Sequence, residues 1–137
     1  MELLEEHVKL RALVVDDSEI SRRCVCRIIL SVFTYEEADN GLIALQKYRE
    51  AVESGHPFDI VFMDVIMPEM DGKESVKQIR AFEQSIDRVK TPIIMISASE
   101  MLGEVEELVN GLLRKVVNKQ LLNEILQNLF SGRIDML

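Results

Sequence analysis

Three stretches of this 137-residue chain are apolar without interruption: "ALVVD" at 12–16, "DIVFMD" at 59–64 and "PIIMIS" at 92–97. A strand wetted on one face alternates apolar and polar residues, whereas a strand covered on both faces does not. Continuous runs of this length therefore call for a sheet with helices on each side. Two weaker strands are expected at "TYEEA" (34–38) and "GLLR" (111–114).

Between the runs the spacing changes to that of helices. Ile20, Cys24, Ile28 and Val32 recur at steps of four, with Ser18 placed as N-cap. Leu42, Leu45, Tyr48 and Val52 form a second stripe. Val76, Ile79 and Phe82 form a third, opened by "DGKE", where Asp71 and Glu74 have capping-box spacing. A weak pattern covers about 101–109, and Leu122, Ile125, Leu126 and Leu129 mark the final helix. Strands alternating with helices imply a five-stranded parallel sheet, doubly wound, in one α/β domain over residues 10–130. Residues 54–57 and 85–92 read as surface connections, 1–9 as an N-terminal extension and 131–137 as a C-terminal tail.

The formal net charge of -8 argues against direct nucleic-acid binding. No apolar run is long enough to cross a bilayer and no signal-peptide pattern opens the chain, so the expectation is a soluble, cytoplasmic protein without direct membrane contact. An acidic surface suits a metal cation or a basic patch on a protein partner. Cys24 and Cys26 lie two apart in an expected helix and so point to different faces. They are expected to pack or to stand as surface thiols, since nothing completes a disulfide or a zinc set. His7 and His56 read as ordinary terminal or loop residues, and Met67, Met70 and Met95 as packing.

In doubly wound sheets, ligands bind outside the carboxyl ends of the strands. The first strand ends at Asp16 and Asp17, the third at Asp64 and the fourth at Ser97. Three carboxylates and a hydroxyl thus converge on one rim. Like charges this close raise one another's pKa unless a cation intervenes. Oxygen-only donors in a water-accessible site favour Mg²⁺, or Mn²⁺, over zinc. A divalent ion there can neutralise phosphoryl oxygens, and a carboxylate can then act as nucleophile. Asp64 suits that role best, having no acidic neighbour with which to share metal duty.

The segments "LVVDDSEISRR", "VFMDVIMPEMDG" and "PIIMISAS" resemble the receiver domains of two-component response regulators and hybrid histidine kinases, in order and at suitable spacing over about 10–130. The resemblance implies a flavodoxin-like fold and a signalling function rather than an enzyme. It implies that Asp64 is the phosphoacceptor, taking a phosphoryl group from a phosphohistidine on a histidine kinase or histidine phosphotransfer protein. By the same resemblance Asp17 binds Mg²⁺ directly, Asp16 mainly through water, and the backbone carbonyl of Ile66 completes the protein's metal ligands. Ser97 would hydrogen-bond a phosphoryl oxygen and serve as a switch position, replacing the commoner threonine. A lysine at the end of the fifth strand would pair with the phosphoryl group.

The chain departs from the family pattern after Ser97. Receivers usually carry Lys-Pro at the end of the fifth strand; here Lys115 is followed by Val116. Ser97 and Lys115 are 18 positions apart, shorter than usual, so the fourth helix or fifth strand should be short or irregular. Lys119 is a rival by spacing, but the final helix aligns only if Lys115 closes the strand and Lys119 falls inside the helix. A non-proline cis bond costs about 2.5–4 kcal/mol against about 0.5–1 for X-Pro, so a trans Lys115–Val116 bond is expected, with the ammonium missing the acidic rim before phosphorylation. Leu112 occupies the position where the family places a switch aromatic, which puts output through that face in question. Ile66 and Ser99 should flank the path of an attacking water, and neither can orient it, so a long-lived phosphoryl group is expected.

Two other readings stand beside this one. A degenerate receiver would bind partners without phosphorylation; the intact acidic triad argues against it and the altered lysine region for it. A Mg²⁺-dependent phosphohydrolase of the haloacid-dehalogenase type would need a second acid two residues after the nucleophile, where Ile66 sits. The sequence shows no output or kinase region, so the expectation is a stand-alone regulator or a receiver from a larger chain.

Overall fold

The computed structural model describes residues 9–98, 102–131 and 134–137. His7, Ser99 and most of the expected N-terminal extension lie outside them. In chain order the elements are β1 (Leu10–Val15), α1 (Glu19–Ile29), β2 (Phe33–Ala38), α2 (Gly41–Glu53), β3 (Ile60–Asp64), α3 (Gly72–Ser85), β4 (Ile93–Ser97), a 3₁₀ helix η1 (Gly103–Leu108), β5 (Gly111–Arg114) and α4 (Lys119–Leu129). The five strands form one parallel sheet in the order β2-β1-β3-β4-β5.

The uninterrupted apolar runs have the expected cause: both sheet faces are covered. Leu13, Val15, Val61, Met63, Ile93 and Met95 pack with residues of α2, α3 and η1. Ala12, Val14, Ile60, Phe62, Ile94 and Ile96 pack with α1 and α4. β2 lies at an edge and instead alternates, with Thr34 and Glu36 exposed.

Two expectations need correction. The stripe Ile20, Cys24, Ile28 and Val32 does not define the buried face of α1: Ile20 is 80% exposed and Cys24 is also exposed. Each step of four overshoots a 3.6-residue turn by about 40°, so such a stripe wanders round the helix. The buried face is Val25, Cys26 and Ile29. At α3, Asp71 accepts from the Glu74 N–H at 2.9 Å, but the Glu74 carboxylate accepts from Gln78 instead of closing a capping box. Ser18 caps α1 as expected.

Within the weak pattern of 101–109, whose first residue lies outside the described ones, Gly103–Leu108 is a 3₁₀ helix, the short or irregular element expected there. Leu102, Val105 and Leu108 recur at steps of three, which eclipse on a 3₁₀ helix, and all three pack toward the core. Gly103 opens the element at φ 61. The last described residues lie against α4: Leu137 N–H donates to Asn123 at 3.1 Å, and Ile134 and Leu137 pack on the cluster that includes Leu122 and Leu126.

Candidate functional site

β1 leads back to β2 on one side of the sheet and β3 lies on its other side, so the strand order reverses between β1 and β3. Their carboxyl ends flank the crevice where such sheets bind ligands. The acids are there. Carboxylate oxygens of Asp16, Asp17 and Asp64 all lie within 4.8 Å of one another. Asp16 and Asp64 are buried, at 3% and 5% exposure, while Asp17 is open to solvent. Ser97 ends β4 next to β3 and is buried.

Lys115 reaches this cluster. Its Nζ lies 3.0 Å from Asp16 Oδ2 and 3.3 Å from Asp64 Oδ2. Its own N–H donates to the Ser97 carbonyl at 2.9 Å, continuing the β4–β5 ladder. Lys119 is exposed at the start of α4. The Lys115–Val116 bond is cis, not trans, and the ammonium does not miss the rim. The trans expectation rests on the cost of a non-proline cis bond unless surrounding packing offsets it, and that of an ammonium missing the rim on the shortened segment before Lys115. In the fold the Lys115 backbone is held on Ser97 and its ammonium by two buried carboxylates.

One ammonium does not neutralise three carboxylates. Burial, and then the charge of Asp16, push the Asp64 carboxyl up to about 6, against the opposing pull of Lys115. Burial draws the Lys115 ammonium down, but its bond to Asp16 and the fields of Asp16 and Asp64 outweigh this and leave it raised. The cluster therefore carries uncompensated negative charge. All-oxygen donors, partial exposure through Asp17 and a lysine already acting as a cation fit a hard divalent ion.

Asp64 is seated by glycines that the motif reading passed over. Gly72 begins α3 pressed against the end of β3: a Cβ there would lie 1.9 Å from the Asp64 carbonyl oxygen. Its N–H donates to the Val65 carbonyl at 2.8 Å. Gly41, at the start of α2, donates to the Met70 carbonyl at 2.8 Å, and Ser75 Oγ bonds the Gly41 carbonyl. A glycine at a helix start, where capping gives it no purpose, was the available signal. Ile66 stands at the rim of the turn, 74% exposed. Leu112 packs against the core cluster under α2 and α3 rather than facing the acids.

The fold and acidic crevice together define a receiver domain. A family model for the response regulator receiver domain matches residues 12–130, and the chain belongs to that family. It is 41% identical over 100 residues to histidine kinase CKI1 of Arabidopsis thaliana, a match covering 66% of this chain and 9% of that protein. It is 35% identical over 106 residues to the two-component response regulator ORR41 of rice (Oryza sativa subsp. japonica), covering 74% of this chain and 76% of that one. Among solved structures, the receiver domain of CKI1 complexed with Mg²⁺ and BeF₃⁻ is similar at TM-score 0.75 and 33% identity, covering 89% of this chain and 90% of that one.

Proposed function

We propose that this receiver accepts a phosphoryl group on Asp64 from a phosphohistidine of a histidine kinase or phosphotransfer protein, with Mg²⁺ in the acidic crevice. The observation that carries the reading is the convergence of Asp16, Asp17, Asp64 and Lys115 at the β1/β3 switch point. The similar receiver of CKI1 binds Mg²⁺ and BeF₃⁻, which supports the same occupants here. Mn²⁺ shares the preference for carboxylate, carbonyl and water and would substitute.

In the transfer, the phosphorus–nitrogen bond breaks as a carboxylate oxygen of Asp64 bonds to phosphorus. The imidazole nitrogen keeps the bonding pair and takes a proton from solvent. The bound ion would neutralise phosphoryl oxygens. Asp17, Asp16 and the Ile66 carbonyl would hold it; Lys115 would exchange its carboxylate partners for the phosphoryl group, and Ser97 would donate to a phosphoryl oxygen. The chain is a phosphorylated relay or switch rather than a turnover catalyst. No helix among the described residues is long and apolar enough to cross a membrane.

Ile20 and Val116, 80% and 87% exposed, flank a cleft of about 130 Å³ that reaches Asp16 and Lys115. Their exposure beside the crevice supports docking of a partner through apolar contacts. The test is intact mass after incubation with Mg²⁺ and a small phosphodonor. Wild type should gain one phosphoryl group and Asp64→Asn none; equal labelling removes Asp64 from the role.

A further inference from the structure

The peptide unit joining Asp16 to Asp17 belongs to no regular element. β1 ends at Val15 and α1 begins at Glu19, and the β1–β2 ladder runs only one bond further, to the Asp16 N–H. The Asp16 N–H reaches the Ala38 carbonyl of β2 at 3.1 Å. Its carbonyl is taken by a side chain, Arg22 Nη1, at 2.8 Å. Arg22 is itself anchored: its Nε donates to Glu37 Oε1 at 2.7 Å, in a pair whose side chains are only 14% and 26% exposed. One guanidinium thus ties the end of β2 to the turn that carries two of the three acids.

That turn is where restraint is needed. The carboxylates of Asp16, Asp17 and Asp64 repel one another, and rotating the Asp16–Asp17 peptide plane is the local way to spread them apart. A donor fixed on the Asp16 carbonyl opposes that rotation. A planar guanidinium suits the task, because its fork can serve Glu37 and the carbonyl together in one rigid geometry.

We infer that Arg22 is a positioning residue for the cation site, holding the Asp16–Asp17 peptide so that both carboxylates face the ion. The inference rests on the Mg²⁺ reading proposed above. It makes a prediction opposite in sign to simple electrostatics. A bystander cation beside the site repels Mg²⁺, so its removal would tighten binding. Removal of a positioning residue loosens binding in spite of the lost repulsion.

Arg23 supplies the matched control. It bonds the same Glu37 oxygen at 3.2 Å and pairs with Glu19, and no bond from it to Asp16 is found among the described residues. Arg22→Lys keeps the charge but loses the rigid planar fork with which the guanidinium serves Glu37 and the Asp16 carbonyl together.

MgCl₂ is titrated calorimetrically into the full chain at fixed ionic strength, for wild type, Arg22→Ala, Arg22→Lys and Arg23→Ala, with folding checked by circular dichroism. Supporting residues around metal sites typically change affinity about 10-fold or more, and a loss of that size is expected for Arg22→Ala. Arg22→Lys should also bind more weakly than wild type, while Arg23→Ala should bind as well or more tightly. With a small phosphodonor, the Mg²⁺ concentration for half-maximal phosphorylation should rise in Arg22→Ala by the same factor, with the rate at saturating Mg²⁺ unchanged. Folded Arg22→Ala that binds Mg²⁺ as tightly as Arg23→Ala overturns the assignment. If Arg22→Ala does not fold, wild-type affinity in Arg22→Lys overturns it. Failure of wild type to bind Mg²⁺ is a separate result, reached without any substitution, and it removes the metal reading and the role of Arg22 together.

Discussion

In the ion-free protein the Asp64 carboxyl titrates at about 6 instead of its ordinary 3.8, because burial and the charge of Asp16 disfavour its ionised form. The folded state therefore binds more protons than the unfolded chain between these values. Stability from this group is greatest below the lower one, falls as pH rises through the window, and is lowest above about 6. Asp64→Asn removes the penalty. Its stability relative to wild type, measured by urea unfolding without divalent ions, should grow through that window and reach roughly 3 kcal/mol at neutral pH. A stability difference that is flat with pH would mean that Asp64 is not strained by its neighbours. Glu37 lies on the other side of the ledger: its bond to Arg22, set against burial and aided by Arg23, holds it below the ordinary carboxylate range. Glu37 thus contributes stability above its unfolded pKa that is lost as pH falls.

At the scale of elements, η1 is tied to α3 by side chains. Arg80 Nε donates to the Leu108 carbonyl at 2.9 Å, and its Nη1 to Glu83 Oε1 at 2.8 Å. Lys77 pairs with Glu104 at 2.9 Å. Glu83 is buried and also accepts from the Tyr48 hydroxyl and the Thr91 N–H, so one carboxylate links α2, α3 and the connection leading into β4. Removing one partner of a buried pair leaves an uncompensated charge, which costs about 3–5 kcal/mol. Arg80→Met should destabilise the fold by that order in denaturant unfolding. Glu83→Gln added to it should recover part of the loss, since the two are coupled. A loss under about 1 kcal/mol for Arg80→Met would show the network to be solvent-screened in practice.

For the molecule as a whole, an ion held in the acidic crevice would couple binding to folding. An ion that binds only the native state stabilises it by mass action, about 2.7 kcal/mol at 100 times the dissociation constant. Millimolar Mg²⁺ should therefore raise the melting temperature of wild type by several degrees, judged against a monovalent salt of equal ionic strength. Asp17→Ala should abolish most of this rise, because Asp17 is the exposed member of the cluster. It should also raise ion-free stability by relieving repulsion. A melt indifferent to Mg²⁺, or an Asp17→Ala melt that responds like wild type, counts against the metal site.

The sheet and the acids were readable in the sequence because both rest on short-range pattern. A strand covered on two faces must be apolar throughout, and the residue ending each strand of a parallel sheet lands on one rim, which brings Asp16, Asp17, Asp64 and Ser97 into view. Even the short period of Leu102, Val105 and Leu108 was present, though a helical window obscured it. What only tertiary structure decided depends on contacts between residues far apart in the chain. Such contacts set the buried face of α1, the pressure of Gly72 on Asp64 and the bond from Arg22 to Asp16. Lys115 shows the difference most clearly. Its reach follows from contacts with Ser97, Asp16 and Asp64, which adjoin it in space but stand 18, 99 and 51 positions away in sequence, where no local propensity can register them.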